Sequence, residues 1–256
     1  FELGIRGALQ DLRPLPGFPA VLSRFSPGAL LPYVVDGAVY ALPETQDFWV
    51  LFYRRDILDA LGLRVPDTWD DVTRMLPVLQ RFGMNFYTPL SGAGFKSFFT
   101  TVPFIYQRGG DLYGYEPAPG GGTVLRAAID GEASLAGIRL MSGLFTLHSL
   151  PLQAPNFYDS FRTAKLPIGV ANFTEYVKLV TAAPEIAGWW DIALQPGIRD
   201  ASGTVVRWAP GSAQTAYAFR GPRAGAAWRF LDWGTSTETQ ATVLDRLRTS
   251  YGAEYL

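Results

Sequence analysis

Cysteine is absent from this 256-residue chain, which excludes disulfides, thiolate metal sites and a cysteine nucleophile while leaving the compartment open. Histidine occurs once, as His148. A lone histidine near the end of an apolar helical stretch reads as structural, so neither a Ser-His-Asp arrangement nor a multi-histidine metal site is expected. Lysine is confined to positions 96, 165 and 178, and the resulting arginine bias is put down to a GC-rich genome rather than to function. The 22 basic and 23 acidic residues leave a net charge of −1 with no basic block, so the electrostatic footprint of a nucleic-acid binder is missing. Apolar runs such as Phe98 to Tyr106 fall well short of the roughly 18 to 20 residues that span a bilayer. A membrane would be met only through an anchor outside this chain. Phe1 is no initiator methionine and no leader pattern follows it, so the sequence reads as a fragment.

Nucleotide chemistry is excluded in the same way. The stretch Gly92 to Ser97 has Phe95 where a phosphate loop needs the glycine before its lysine, and Gly120 to Gly122 lacks the strand–turn–helix setting of a dinucleotide site. No cofactor is expected.

What is present is concentrated between residues 39 and 71. Phe48 to Tyr53 is apolar and aromatic or β-branched without alternation, which predicts a short strand buried on both faces of an α/β sheet. Before it, Glu44, Thr45, Gln46 and Asp47 occupy the crossing from an apolar segment that Pro43 stops, where polar side chains can line a crevice. Arg54 to Leu61 predicts a short helix stopped by Gly62. Thr68 and Asp71 then make a near capping box for a helix from Trp69, with Pro77 kinking or shortening it.

Elsewhere, five prolines within residues 1–38 keep the elements short. Asp36-Gly37 predicts a hairpin turn, and residues 91–106 a glycine-rich turn leading into an aromatic helix. Strands are predicted near Phe86 to Leu90 and Thr123 to Ile129, with a helix over Glu132 to His148 whose core stripe is Leu135, Ile138, Leu144 and Phe145. A short helix is predicted over Phe157 to Thr163. Leu166 to Ala171, the turn into a helix at Asn172 to Tyr176, and Trp189 to Leu194 read as a strand–helix–strand unit with parallel pairing. Two helices close the chain, near Arg223 to Trp233 and Thr237 to Thr249.

Glu44, Asp47 and Glu175 are the carboxylates that could serve a glycosidase, which needs two facing acids in an aromatic cleft. They could equally accept hydrogen bonds from sugar hydroxyls without chemistry, and no catalytic residue is assigned. Any one aromatic is first a core residue. Those beside glycine or polar turns stand out: Phe173 and Tyr176 at a strand-to-helix junction, where open α/β sheets hold ligands, Phe95, Phe98 and Phe99 after the flexible turn, and Trp208 before Ala209-Pro210-Gly211.

The ordered blocks Tyr40 to Thr45, Leu51 to Leu58 and Pro66 to Asp71 resemble the family 1 extracellular solute-binding proteins, the sugar-capturing components of ABC importers that include maltodextrin-binding proteins. The resemblance continues through Tyr106 to Leu112, Ile168 to Asn172, Trp190 to Pro196, Ala224 to Trp233 and Ser236 to Gln240. It implies an α/β, periplasmic binding protein-like II fold, a mixed sheet with flanking helices. Residues 1–46 would be part of a first lobe, 47–206 a second lobe, and 207–256 the return to the first lobe with the hinge. By position, Asp47 falls on a cleft carboxylate, Phe99 on a stacking tyrosine and residues 173–176 on a stacking tryptophan. The ligand-binding set is then Glu44, Gln46, Asp47, Phe99, Phe173, Glu175, Tyr176 and Trp208. The implied ligand is a mono- or oligosaccharide captured in an inter-lobe cleft and delivered to an ABC permease, outside the cytoplasm, in an extracellular or periplasmic setting that includes lipid anchoring at the cell surface. Two alternatives stay open at this point: the ligand-sensing domain of a larger membrane-anchored protein, and a glycoside hydrolase.

Overall fold

The computed structural model describes residues 2–90, 94–152 and 156–251. Phe1, the glycine-rich turn at 91–93, residues 153–155 of the connection after Leu150, the closing residues 252–256 and the side chains of residues 5, 95–97, 212, 213 and 251 lie outside the described residues. In chain order the elements begin with α1 (Glu2–Ile5), α2 (Phe18–Leu22), α3 (Pro27–Leu30), β1 (Val34–Val35), β2 (Ala38–Val39), β3 (Ala41–Arg54), α4 (Arg55–Ala60), α5 (Trp69–Arg81), β4 (Phe86–Tyr87) and α6 (Gly94–Gln107). They continue with β5 (Tyr113–Pro117), β6 (Thr123–Ala127), α7 (Glu132–Thr146), α8 (Phe157–Arg162), β7 (Ile168–Asn172) and α9 (Thr174–Ala182). The last are β8 (Trp190–Ala193), β9 (Ile198–Arg199), β10 (Val205–Val206), β11 (Gly211–Tyr217), α10 (Ala224–Gly234) and α11 (Thr237–Tyr251). They divide into two units, Phe1–Asp47 with Gly211–Leu256, and Phe48–Pro210.

In the first unit the early prolines do keep helices short, and α2 and α3 each carry a proline in the first turn, where the missing N–H costs nothing. Asp36 and Gly37 both take positive φ, 49° and 75°, as the turn of a two-residue hairpin requires. They join β1 to β2 in antiparallel register. Pro43 does not end a strand, as the sequence reading expects: β3 runs through it for 14 residues. Proline fits extended backbone wherever no ladder bond is due from its nitrogen. The strand pairs with β11. A core of Leu12, Phe18, Val21, Leu30, Val39, Leu42, Ala218, Trp228 and Leu231 is pinned by the Trp228 indole, which donates to the Pro16 carbonyl at 2.8 Å.

In the second unit β3 is the middle strand, antiparallel to β7 on one side and to β8 on the other, while β4 lies parallel to β7. The expected parallel β7–β8 pairing is therefore corrected: the two strands run the same way, but β3 lies between them. Side chains alternate along β3. Trp49, Leu51 and Tyr53 face a core with Trp69, Val72, Leu76, Phe104 and Leu144, supplied by α5, α6 and α7. Val50 and Phe52 face a second core with Phe157 and Phe161 of α8, Leu179 of α9 and Ala171 of β7. Each fully buried Leu or Phe of this kind contributes about 1.5–3 kcal/mol.

Local chemistry sets the boundaries. The capping box is complete, the Asp71 amide donating to Thr68 Oγ1 at 3.2 Å and the Thr68 amide to Asp71 Oδ2 at 2.8 Å. Gly62, at φ 64°, ends the short α4 segment as expected. Leu144 of the predicted α7 stripe is buried, whereas Leu135 and Ile138 are only half-buried, and Ser134, Gly137 and Met141 take the buried positions. The reason is closeness: a Cβ on Gly137 would stand 2.4 Å from the Phe104 carbonyl oxygen, so α6 and α7 meet through small residues. The strand near 123 is half of an antiparallel hairpin with β5. A single buried amide joins α5, α6 and the segment after β8: Gln107 accepts from the Trp69 indole at 2.9 Å and donates to the carbonyls of Trp208 at 2.9 Å and Pro196 at 3.2 Å.

Candidate functional site

The aromatic cluster at one end of β3 follows from register. Val50 stands opposite Ala171 and Trp49 opposite Asn172. One residue further, the Phe173 amide donates to the Phe48 carbonyl at 2.8 Å, extending the pairing just as β7 gives way to α9. Phe48 and Phe173 are thereby placed on the face that carries Val50 and Phe52, with ring centroids 5.2 Å apart and planes 19° apart. The first turn of α9 then brings Tyr176 onto Phe173, at 5.5 Å and 7°. Three near-parallel stacked rings result. The edge of Trp190 meets Tyr176 at 5.6 Å and 71°, which anchors the inner end, while Phe48 is 48% exposed at the outer end.

Glu175 lies between Phe173 and Tyr176 in sequence, in the first turn of α9. Its Oε1 accepts from Lys178 Nζ at 2.6 Å, and its Oε2 is buried without a hydrogen-bond partner among the described residues. Burial and, after it, the Glu175 charge raise the hydroxyl pKa of Tyr87 above the usual tyrosine value; the Tyr87 ring stacks on Phe157 at 4.8 Å.

On the opposite face at the same strand end, Trp49 meets Phe99 at 6.0 Å, and Phe98, 49% exposed, meets Phe99 edge-on. The Trp49 amide donates to the Pro210 carbonyl at 3.2 Å, which draws the segment bearing Trp208 alongside. The Trp208 ring packs on Tyr106 at 5.1 Å, and its carbonyl accepts from the side-chain amides of Gln107 and Gln195.

The predicted residues of the second unit therefore fall in three places: Phe173, Glu175 and Tyr176 together on one face, Phe99 on the other, and Trp208 on the returning segment. Glu44, Gln46 and Asp47 belong to the first unit, where Glu44 and Gln46 are exposed and Asp47 is half-buried on β3. They lie in mid-strand rather than at a break between two apolar segments, because β3 continues through Pro43. Phe48 was readable only as core, and the structure corrects this: it begins the ring ladder. Its adjacency to the polar run Glu44 to Asp47 was the available signal. Flat apolar rings beside an acceptor oxygen suit a ligand with C–H faces and hydroxyl donors. Among the described residues no group of three or more His, Asp or Glu could hold a metal, and no helix is long and apolar enough to cross a membrane.

Residues 5–241 match the model of the family described as bacterial extracellular solute-binding protein. The chain belongs to this family. The mannitol-binding protein of Pseudomonas aeruginosa is 33% identical over 88 residues, 32% of this chain and 20% of that protein. Among solved structures, the GacH receptor of Streptomyces glaucescens, studied unliganded and with acarbose, superposes with a TM-score of 0.71 at 20% identity, over 96% of this chain and 61% of that one. UgpB from Mycobacterium tuberculosis, solved with glycerophosphocholine, gives 0.72 at 18% identity, over 96% of this chain and 62% of that one. The chain thus spans about a fifth of the first relative's length and three fifths of the structures it resembles. Its mixed sheet with flanking helices is the periplasmic binding protein-like II fold of this family.

Proposed function

We propose that this chain is the ligand-capturing part of a bacterial ABC importer and that its ligand is a carbohydrate or polyol, bound without chemical change. The observation that carries the reading is the ladder of Phe48, Phe173 and Tyr176, three near-parallel rings with an exposed end. Such a plane stacks on the C–H face of a pyranose, and the buried Glu175 Oε2 supplies an acceptor for a hydroxyl. Phe99 and Trp208 flank the same strand end. Glu44, Gln46 and Asp47 are assigned to hydroxyl recognition from the first unit. The acarbose of the GacH receptor and the name of the mannitol-binding relative support a polyhydroxylated ligand. We assign residues 1–46 and 207–256 to one lobe and 47–206 to the other, with the hinge in the returning segment, and place the protein outside the cytoplasm, in the periplasm or at the cell surface.

The test is isothermal titration of the chain with mannitol, maltose and longer oligosaccharides. A saturating ligand raises the melting temperature by mass action, worth about 2.7 kcal/mol at a hundredfold excess over Kd. The paired substitution Phe173→Ala and Tyr176→Ala should weaken whichever sugar binds by about tenfold or more, given roughly 0.5–1.5 kcal/mol for each ring contact beyond area burial. Unchanged affinity for every sugar that binds would remove the ladder from the site.

A further inference from the structure

Another surface of the second unit is chemically unlike the ring ladder. Between α5, the end of α6 and the length of α7 lies an open groove of about 400 Å3, whose lining includes Arg108, Arg139, Leu140, Leu144, Leu147 and His148. Its floor is apolar. Leu144 is fully buried and Leu140 packs against the same core, while Leu147 at the rim is 79% exposed. Its polar side chains are two arginines, the histidine and Thr73, with no carboxylate, and the Thr73 hydroxyl already donates to the Asp70 carbonyl at 2.9 Å.

Both guanidinium groups lack an ion-pair or hydrogen-bond partner among the described residues, whereas Arg199 in the adjoining recess is paired with Asp67. Asp70 also lines that recess beside Arg108 but makes no ion pair with it. Arg108 follows the last turn of α6, where a positive charge offsets the helix dipole. Arg139, in the middle of α7, has no such role. Two free forks over an apolar floor match an oxyanion carried on an apolar body, because the fork holds two oxygens at once and the body covers exposed leucine.

We infer that this groove binds a small amphipathic anion, a carboxylate or sulfonate on an acyl or aryl body. The site is independent of the sugar reading. It lies beyond the other end of α6 from Phe99, about 12 Å along the helix at 1.5 Å per residue.

The experiment is a fluorescence titration of the native chain with 8-anilinonaphthalene-1-sulfonate, alongside the neutral N-phenyl-1-naphthylamine and with sodium decanoate as competitor. Saturable enhancement that decanoate displaces, and weaker binding of the neutral probe, are expected. Arg108→Gln and Arg139→Gln should each weaken the sulfonate about threefold, and together about tenfold, as partly exposed charge-assisted contacts would. Leu147→Asp, a change at an exposed side chain, should weaken it too, and the Phe173→Ala, Tyr176→Ala pair should leave it unchanged. The inference fails if no saturable enhancement is seen, if the neutral probe binds equally well, or if the double arginine variant, folded by circular dichroism, binds as tightly as the parent. Loss of the signal in the ring variants alone would also overturn it.

Discussion

The two faces of β3 in the second unit are built from one pair of strands, yet they finish differently. Toward α5, α6 and α7, the side chains of Trp49, Leu51 and Tyr53 meet a large helical core. Toward α8 and α9, the sequence Phe52, Val50, Phe48 runs from a fully buried ring to one half in solvent, and opposite them stand Gly169 and Ala171 of β7 and then Phe173, just beyond its end. Gly169 has no room for a side chain, since a Cβ there would come within 2.5 Å of Tyr87 Cβ. Small residues beneath Phe52 let aromatic side chains pack inward from the helices. Where β7 ends and Phe173 follows its small residues, the aromatic layer is itself presented outward. A sheet face can thus change from core to platform along a few residues without any change in secondary structure.

The sharpest way to break this comparison is at the middle of the strand. Phe52→Ala should cost about 3–5 kcal/mol and Leu51→Ala about 2–5 kcal/mol, measured by urea unfolding. A much smaller loss for Phe52 would mean that the α8–α9 face is not a core. Next comes the strand's inner end, where Arg54 is buried and its guanidinium donates to both oxygens of Asp56, at 2.8 and 2.6 Å. Asp56→Asn should cost roughly 1–3 kcal/mol at neutral pH, as loss of a charge-assisted pair does. The Arg54 contact holds the Asp56 carboxyl below its ordinary 3.8. Its contribution is therefore present above that value and lost as pH falls through the lowered one, so parent and variant should converge in acid. A gap that persists at low pH would assign the effect to packing. The smallest expected stability change is at the outer end: Phe48→Ala should cost no more than about 1 kcal/mol for a half-exposed ring, yet weaken sugar binding several-fold in titration. A large stability loss with intact binding would return Phe48 to the core.

The elements were legible where local chemistry speaks alone. The Thr68 cap, the Asp36-Gly37 turn, the Gly62 stop and the closing helices follow from one or two residues each. The family resemblance likewise rests on ordered short blocks. What the sequence did not disclose depended on partners distant in the chain. Pro43 looks like a strand end because its pairing cannot be read locally. The strand–helix–strand of 166–194 looks like a parallel pair because nothing in it says that β3 lies between. Periodicity misplaces the buried face of α7 because it counts large apolar residues, whereas the close approach of α6 at Phe104 selects Gly137. Among the proposed site residues, Phe173 and Tyr176 were visible from a strand-to-helix junction. Phe48 was hidden by its apolar neighbours, since an unbroken hydrophobic run gives no sign of where burial stops.

The buried amide of Gln107 also dictates an order of events. Its partners Trp69, Pro196 and Trp208 lie 38, 89 and 101 positions away in the chain, so its bonds close only after three separate stretches have been brought together, which is slow to achieve by diffusion of the chain. Gln107 holds in place the segment that carries Trp208 toward Pro210. Three stretches of the second unit, far apart in the chain, are tied to one uncharged side chain.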